Sequence, residues 1–151
     1  MNRAETVRYL VLAAQREGNR MLAEHLRPIG VTPSQAEVVR LLGNRELSIG
    51  ELGELLVCES GTNPSRLVER LVVAGMIERR LDEGDRRRVI LSLTSRGRAA
   101  ERAVVEIEAG LYSAIDAAGR GVDLDAVIDY LIRLSAGSPS GLAVEKRRTT
   151  P

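Results

Sequence analysis

The triplet Arg86-Arg87-Arg88 follows Asp82, Glu83 and Asp85 within the stretch DEGDRRRVI, residues 82–90. Adjacent guanidinium groups repel one another, so such a run belongs at a surface where something negative meets it. Each guanidinium presents a planar fork of N–H donors that fits phosphate or carboxylate oxygens. The whole chain of 151 residues carries a formal charge of only +1. Its charge is unevenly placed. Residues 60–98 hold nine arginines against five acids, a local +4 that leaves −3 for the remainder. A basic patch in a near-neutral protein sets a field for a polyanion at one place.

A second polar cluster lies just upstream in SGTNPSRLVERLVVAG. Thr62, Asn63, Ser65 and Arg66 gather at one end of a segment whose Leu67, Val68, Leu71 and Val72 recur at helical spacing. Asn is suited to adenine, and Arg to guanine or a phosphate. Arg70 extends the basic face by one turn. Capping polarity explains Ser60 as well as base contact does. At the start of an earlier helix, Ser34 and Gln35 are placed for phosphate contacts. A capping box formed by Thr32 and Gln35 accounts for them equally well.

Other chemistries are poorly provided for. His25 is the single histidine and Cys58 the single cysteine. Neither a metal site nor acid–base or nucleophilic catalysis is expected from so few partners, and no Gly-rich phosphate loop is present. The expectation is a protein that is not an enzyme and has no cofactor. One cysteine rules out an intrachain disulfide framework and fits a reducing, cytoplasmic setting. No signal-peptide pattern and no apolar run of membrane-spanning length is seen.

Several elements must position the two clusters. Residues 3–27 read as a long helix, with Val7, Leu10, Val11, Ala14, Met21, Leu22 and Leu26 on one stripe. Pro28 and Gly30 end it. Thr32, Pro33 and Gln35 start a second helix, which Gly43 is expected to close. Ser48 and Glu51 start a third, and the Leu67 segment is a fourth with Gly75 at its end. MIERRL and RVILSL read as two strands joined by a turn around Gly84. Thr94 caps a long helix over 95–118, and Asp123 caps a last one carrying Leu124, Val127, Ile128, Leu131 and Leu134. Residues 136–151 have a linker-like composition and are expected to be a mobile tail.

Three short helices followed by a hairpin is the order of a winged helix-turn-helix, in which the third helix of the trio enters a major groove. The fold class is therefore mainly α with a small β hairpin (α+β). The lobe spans 31–97, and the flanking segments 1–30 and 98–135 carry apolar stripes too long for it to cover. A homodimer formed by those helices would bury them.

DEGDRRRVILSLTSRG resembles the wing signature of the MarR family, D-x-x-D-R-R…L-T-x-x-G, and SRLVERLVVAGMIERR resembles its recognition helix running into the first wing strand. The resemblance implies a homodimeric, cytoplasmic regulator of transcription. Such proteins usually repress pseudo-palindromic operators in double-stranded DNA and are often released by a small phenolic or lipophilic effector. It implies that Asp85 holds Arg87, and that Arg87 probes a minor groove. If 86–88 lie in a strand, alternation sends Arg86 and Arg88 to the other face, toward phosphates or the protein's own acids, with phosphates as the reading kept. The family pattern makes Ser60 the cap of the recognition helix, which would leave Pro64 inside its first turn. Local rules favour Asn63 as cap with Pro64 at the first helical position, but the expectation kept is the Ser60 start, with a distorted or 3-10 first turn. An effector pocket would lie between the long helices and the lobe, with Tyr9, Arg16, Met21, His25 and Tyr112 as lining residues or, equally, as packing. Some members sense oxidants through a cysteine near the first helix, a place where this chain has none. The rival reading is a winged-helix module that binds protein or ligand and no longer binds DNA.

Overall fold

In a computed structural model of the chain, residues 1–57 and 63–149 are described. Capping chemistry sets most of the helix starts. α1 (Arg3–Leu26) opens on an Asn2–Glu5 capping box and gives way to a 3-10 turn over Arg27–Ile29. α2 (Pro33–Asn44) begins where the Thr32 hydroxyl accepts the Gln35 N–H and the Gln35 carboxamide oxygen accepts the Thr32 N–H at 2.9 Å. Ser48 and Glu51 repeat that device for α3 (Ile49–Leu55). Thr94 caps α5 (Ser95–Ala118), and Asp123 caps α6 (Leu124–Ser135).

α4 (Pro64–Val73) settles the choice left open by its sequence. Asn63 is the N-cap, its side chain accepts the Ser65 N–H at 2.9 Å, and Pro64 takes the first helical position. Proline has no N–H to lose there and its fixed φ already suits the helix. Ser60 as the cap is thereby set aside. Gly75, with φ of +69°, turns the chain out of α4 into the sheet.

β2 (Ile77–Leu81) and β3 (Val89–Leu93) form the expected hairpin, paired from Ile77↔Leu93 to Leu81↔Val89. A third strand, β1 (Leu47–Ser48), pairs antiparallel with β3 and makes the sheet order β1-β3-β2. Two residues are too few to show a period. Leu26, Val38, Val39, Leu52, Val68, Leu71, Leu91 and Val104 are fully buried where α1, α2, α3, α4, α5 and the sheet converge.

Two expectations fail here. Gly43 does not end α2, which runs through it to Asn44. A Cβ on Gly43 would stand 2.7 Å from the Glu101 side chain of α5, so this glycine serves a helix crossing. Nor do residues 136–149 form a mobile tail, since α7 (Pro139–Thr149) buries Gly141 and Ala143 and packs on α3; the last two residues of the expected tail lie outside the described residues. The small residues that look like linker allow close approach. The Ser138 hydroxyl accepts the Gly141 N–H at 3.0 Å, and a Cβ on Gly141 would meet the Ser135 carbonyl at 2.2 Å.

The glycine of the L-T-x-x-G signature has a similar cause. Thr94 donates its backbone N–H to the Met76 carbonyl at 3.1 Å, and a Cβ on Gly97 would lie 2.0 Å from that same oxygen. Gly97→Ala is expected to push α5 off the sheet and lower stability by about 1–3 kcal/mol, as overpacking does. A urea midpoint equal to wild type would show that α5 can shift freely.

Val104 is the last buried residue of α5, and α6 buries none of its residues. Leu124, Val127, Ile128, Leu131 and Leu134 form an exposed stripe on α6, joined in kind by Tyr9, Leu10, Val11 and Leu12 of α1 and by Tyr112 and Ile115 of α5. Among the described residues no helix is long and apolar enough to cross a membrane.

Candidate nucleic-acid interface

α4 divides its residues by face. Leu67, Val68 and Leu71 are buried, while Asn63, Ser65, Arg66, Glu69, Arg70 and Val73 are exposed. The polar groups expected to read DNA thus share the outward side, starting at the N-terminal end where free N–H groups favour a phosphate or an acceptor. Ser60, Thr62 and Cys58 lie outside the described residues. At the start of α2, the Gln35 carboxamide oxygen is used in the cap, which leaves its NH2 group to donate.

The wing differs from the alternating-strand expectation. β3 begins at Val89, so Arg86, Arg87 and Arg88 belong to the connection between the strands. Strand alternation does not sort their side chains. The acids brace this turn instead. Asp82 Oδ1 accepts the N–H groups of Gly84 at 2.8 Å and Asp85 at 3.0 Å, and Asp85 Oδ1 accepts the Arg87 N–H at 3.0 Å. Those amide hydrogen bonds hold the Asp82 carboxyl below its ordinary pKa. Asp85 therefore orients Arg87 through its backbone, and no carboxylate–guanidinium bridge joins the two side chains among the described residues.

The phosphate-facing pair of Arg86 and Arg88 is also divided. Arg88 reaches α3 and pairs with Glu51 at 2.6 Å, Arg79 pairs with Glu69 at 2.8 Å, and Arg80 pairs with Glu46. Arg88 and Arg79 fasten the wing to α3 and α4, and Arg80 fastens it to the link between α2 and β1. Arg66, Arg70, Arg86 and Arg87 form no ion pair among the described residues and are exposed. On α4 and the wing, they are the arginines that a ligand can engage without breaking an ion pair among the described residues.

Glu51 bears two loads, the Arg88 pair and the Ser48 cap. Its carboxyl is lowered from 4.5 to about 2, first by the hydrogen bond from Arg88, then by those from Ser48. A depressed carboxyl contributes stability that is fully present above about pH 4.5 and lost as pH falls through about 2. Glu51→Gln keeps an acceptor for the cap and removes the charge. The variant is expected to lose no more than about 1 kcal/mol at neutral pH, as exposed pairs do. Its urea midpoint should fall less between pH 4.5 and 2 than that of wild type. Parallel profiles would count against the Arg88–Glu51 tether.

A cavity of about 560 Å³ opens among α1, α2, α3, α5 and α7. Leu22, Leu26, Ala36, Leu41, Leu55 and Val144 supply apolar wall, and Glu37, Arg40, Glu108, Tyr112 and Arg147 supply polar groups. Of the five residues expected to line such a pocket, only Tyr112 does so. Its hydroxyl donates to Glu108 at 3.3 Å, and burial, followed by the Glu108 charge, pushes its pKa up. Tyr9, Arg16, Met21 and His25 lie on α1 but are not among the residues lining this cavity. His25 Nδ1 is 2.8 Å from the Met21 carbonyl, and the Arg8 guanidinium lies 4.9 Å from the Tyr9 ring centre. Glu37 and Arg40 escaped the sequence reading, although an acid between Ala36 and Val38 on a buried stripe was a signal.

A trio of helices, a recognition helix with an exposed polar face and a braced hairpin define a winged helix-turn-helix protein. Comparison with known proteins agrees. A model of the MarR family matches residues 29–88. The organic hydroperoxide resistance transcriptional regulator of Bacillus subtilis is 31% identical over 100 residues, which are 66% of this chain and 67% of that protein. The chain belongs to the MarR family of winged-helix transcriptional regulators. Among solved structures, a mutant MarR from Escherichia coli complexed with operator DNA is similar at 23% identity and a TM-score of 0.67, over 87% of this chain and 94% of that one. The organohalide-sensing regulator RdhR in its 2,4-dichlorophenol-bound form reaches a TM-score of 0.77 at 15% identity, over 92% and 83%.

Proposed function

We propose that this chain works as a homodimeric repressor that reads a pseudo-palindromic operator and lets go when a small apolar ligand enters the cavity. The observation that carries the reading is the set of four exposed arginines on α4 and the wing that form no ion pair among the described residues, held in place by neighbours whose own charges are internally paired. Asn63, Ser65 and Arg66, with Ser60 and Thr62 ahead of them, face base edges in the major groove. Arg70 adds a phosphate contact. Ser34 and Gln35 meet the backbone from the start of α2. Arg87 enters the minor groove, Asp85 sets its backbone, and Arg86 meets a phosphate. Arg88 acts from behind as a tether to Glu51.

The exposed stripes of α1, α5 and α6 join two copies, so that two recognition helices meet half-sites about one helical turn apart. The 2,4-dichlorophenol seen with RdhR is the kind of compact, mainly apolar molecule that the cavity wall suits. The protein acts in the cytoplasm and performs no catalysis. Selection of bound duplexes from random DNA tests the reading. Enrichment of an inverted repeat is expected. Failure to enrich any sequence at low salt would favour a module that binds protein or ligand alone.

A further inference from the structure

The chain returns from α6 to the helix-turn-helix, where α7 packs against α3. Arg147 Nε donates to the Leu55 carbonyl at 2.7 Å. Leu55 is the last residue of α3, and carbonyls there have no partner within their own helix. Another nitrogen of the same guanidinium pairs with the Glu37 carboxylate of α2. That carboxylate also accepts the Val57 N–H at 2.8 Å. Lys146 adds a bond to Glu54 at 2.8 Å. Glu37 is only 9% exposed, so its charge depends on such partners. The three joined points are the buried face of α2, the end of α3 and the chain at Val57, six residues ahead of the Asn63 cap of α4.

We infer that α7 is a clamp on the helix-turn-helix and that Arg147 is a positioning residue for the recognition helix. It fixes where the chain leaves α3, and that sets where α4 can begin. The consequence for DNA rests on the reading of α4 given above. Arg147 also lines the cavity together with Glu37, Leu55 and Val57, so the clamp forms part of the cavity wall.

The test compares wild type with Arg147→Ala and with the double variant Arg147→Ala/Glu37→Gln. The double variant also removes the buried negative charge of Glu37 and keeps an acceptor for Val57, which guards against a simple folding failure. Amide hydrogen exchange is read in the free protein, and affinity is measured on a duplex selected by wild type. Loss of hydrogen bonds from a charged group is expected to speed Val57 exchange and weaken duplex binding by about tenfold or more in both variants. Core amides such as those of Leu71 and Leu91 keep wild-type exchange. Unchanged Val57 exchange in the double variant would overturn the clamp. Faster Val57 exchange with wild-type duplex affinity would overturn the positioning role. If wild type selects no duplex, the DNA reading fails, while Val57 exchange still decides whether α7 clamps the turn.

Discussion

Arg87→Ala is expected to lower operator affinity by roughly ten- to a hundredfold, the effect of losing an arginine–DNA contact of about 1–3 kcal/mol. Melting temperature and dimer mass are expected to stay at wild-type values. The reason lies in the turn. Asp85 holds Arg87 by its backbone N–H, which alanine retains, and the guanidinium makes no ion pair among the described residues. Its removal therefore leaves the wing built as before and takes away only what projects from it. A narrow minor groove concentrates negative potential and favours an inserted arginine, which is why the loss should be larger than for a cation resting on phosphate. Fluorescence anisotropy on the selected duplex measures the change, with differential scanning calorimetry as the control. Affinity equal to wild type would remove Arg87 from the interface.

Ile128→Asp is expected to separate the dimer into folded protomers and to weaken binding to the full operator by about 10²–10⁴-fold, the advantage that linking two half-sites confers. Ile128 stands in the middle of the α6 stripe and is 44% exposed within one chain. A carboxylate there keeps access to water in the protomer. Covering it with a second copy would strip its water without giving it a partner, at a cost of several kcal/mol. Sedimentation equilibrium reads the mass, circular dichroism reads the helix content, and binding to a single half-site serves as the internal control. A variant that stays dimeric would place the contact between copies elsewhere than α6.

The two predictions differ in how much of their basis was legible beforehand. The α6 stripe is a pure matter of period, with Leu124, Val127, Ile128, Leu131 and Leu134 one helical turn apart, and burial need not be known to see it. The wing is legible by composition but not by geometry. Three acids ahead of three arginines invite a side-chain pairing, yet Asp82 and Asp85 spend their oxygens on the amides of a tight turn. Short polar side chains that reach back to nearby backbone compete well in turns, and which partner wins depends on dihedral angles that no residue spacing reveals.

Local chemistry in this chain determined the caps of α2, α3, α5 and α6, the extents of the two long helices, the paired wing strands and the Asn63–Pro64 start of α4. Each depends on groups within a few residues of one another, and their energies act before any distant contact forms. Tertiary structure alone decided the rest. It set β1 against β3, sent Arg88 to Glu51, ran α2 through Gly43 and folded the supposed tail into α7 with Arg147 on Glu37 and Leu55. These pairings join positions far apart in the chain. Their partners become neighbours only once the core has assembled and buried groups such as Glu37 must find their counterparts.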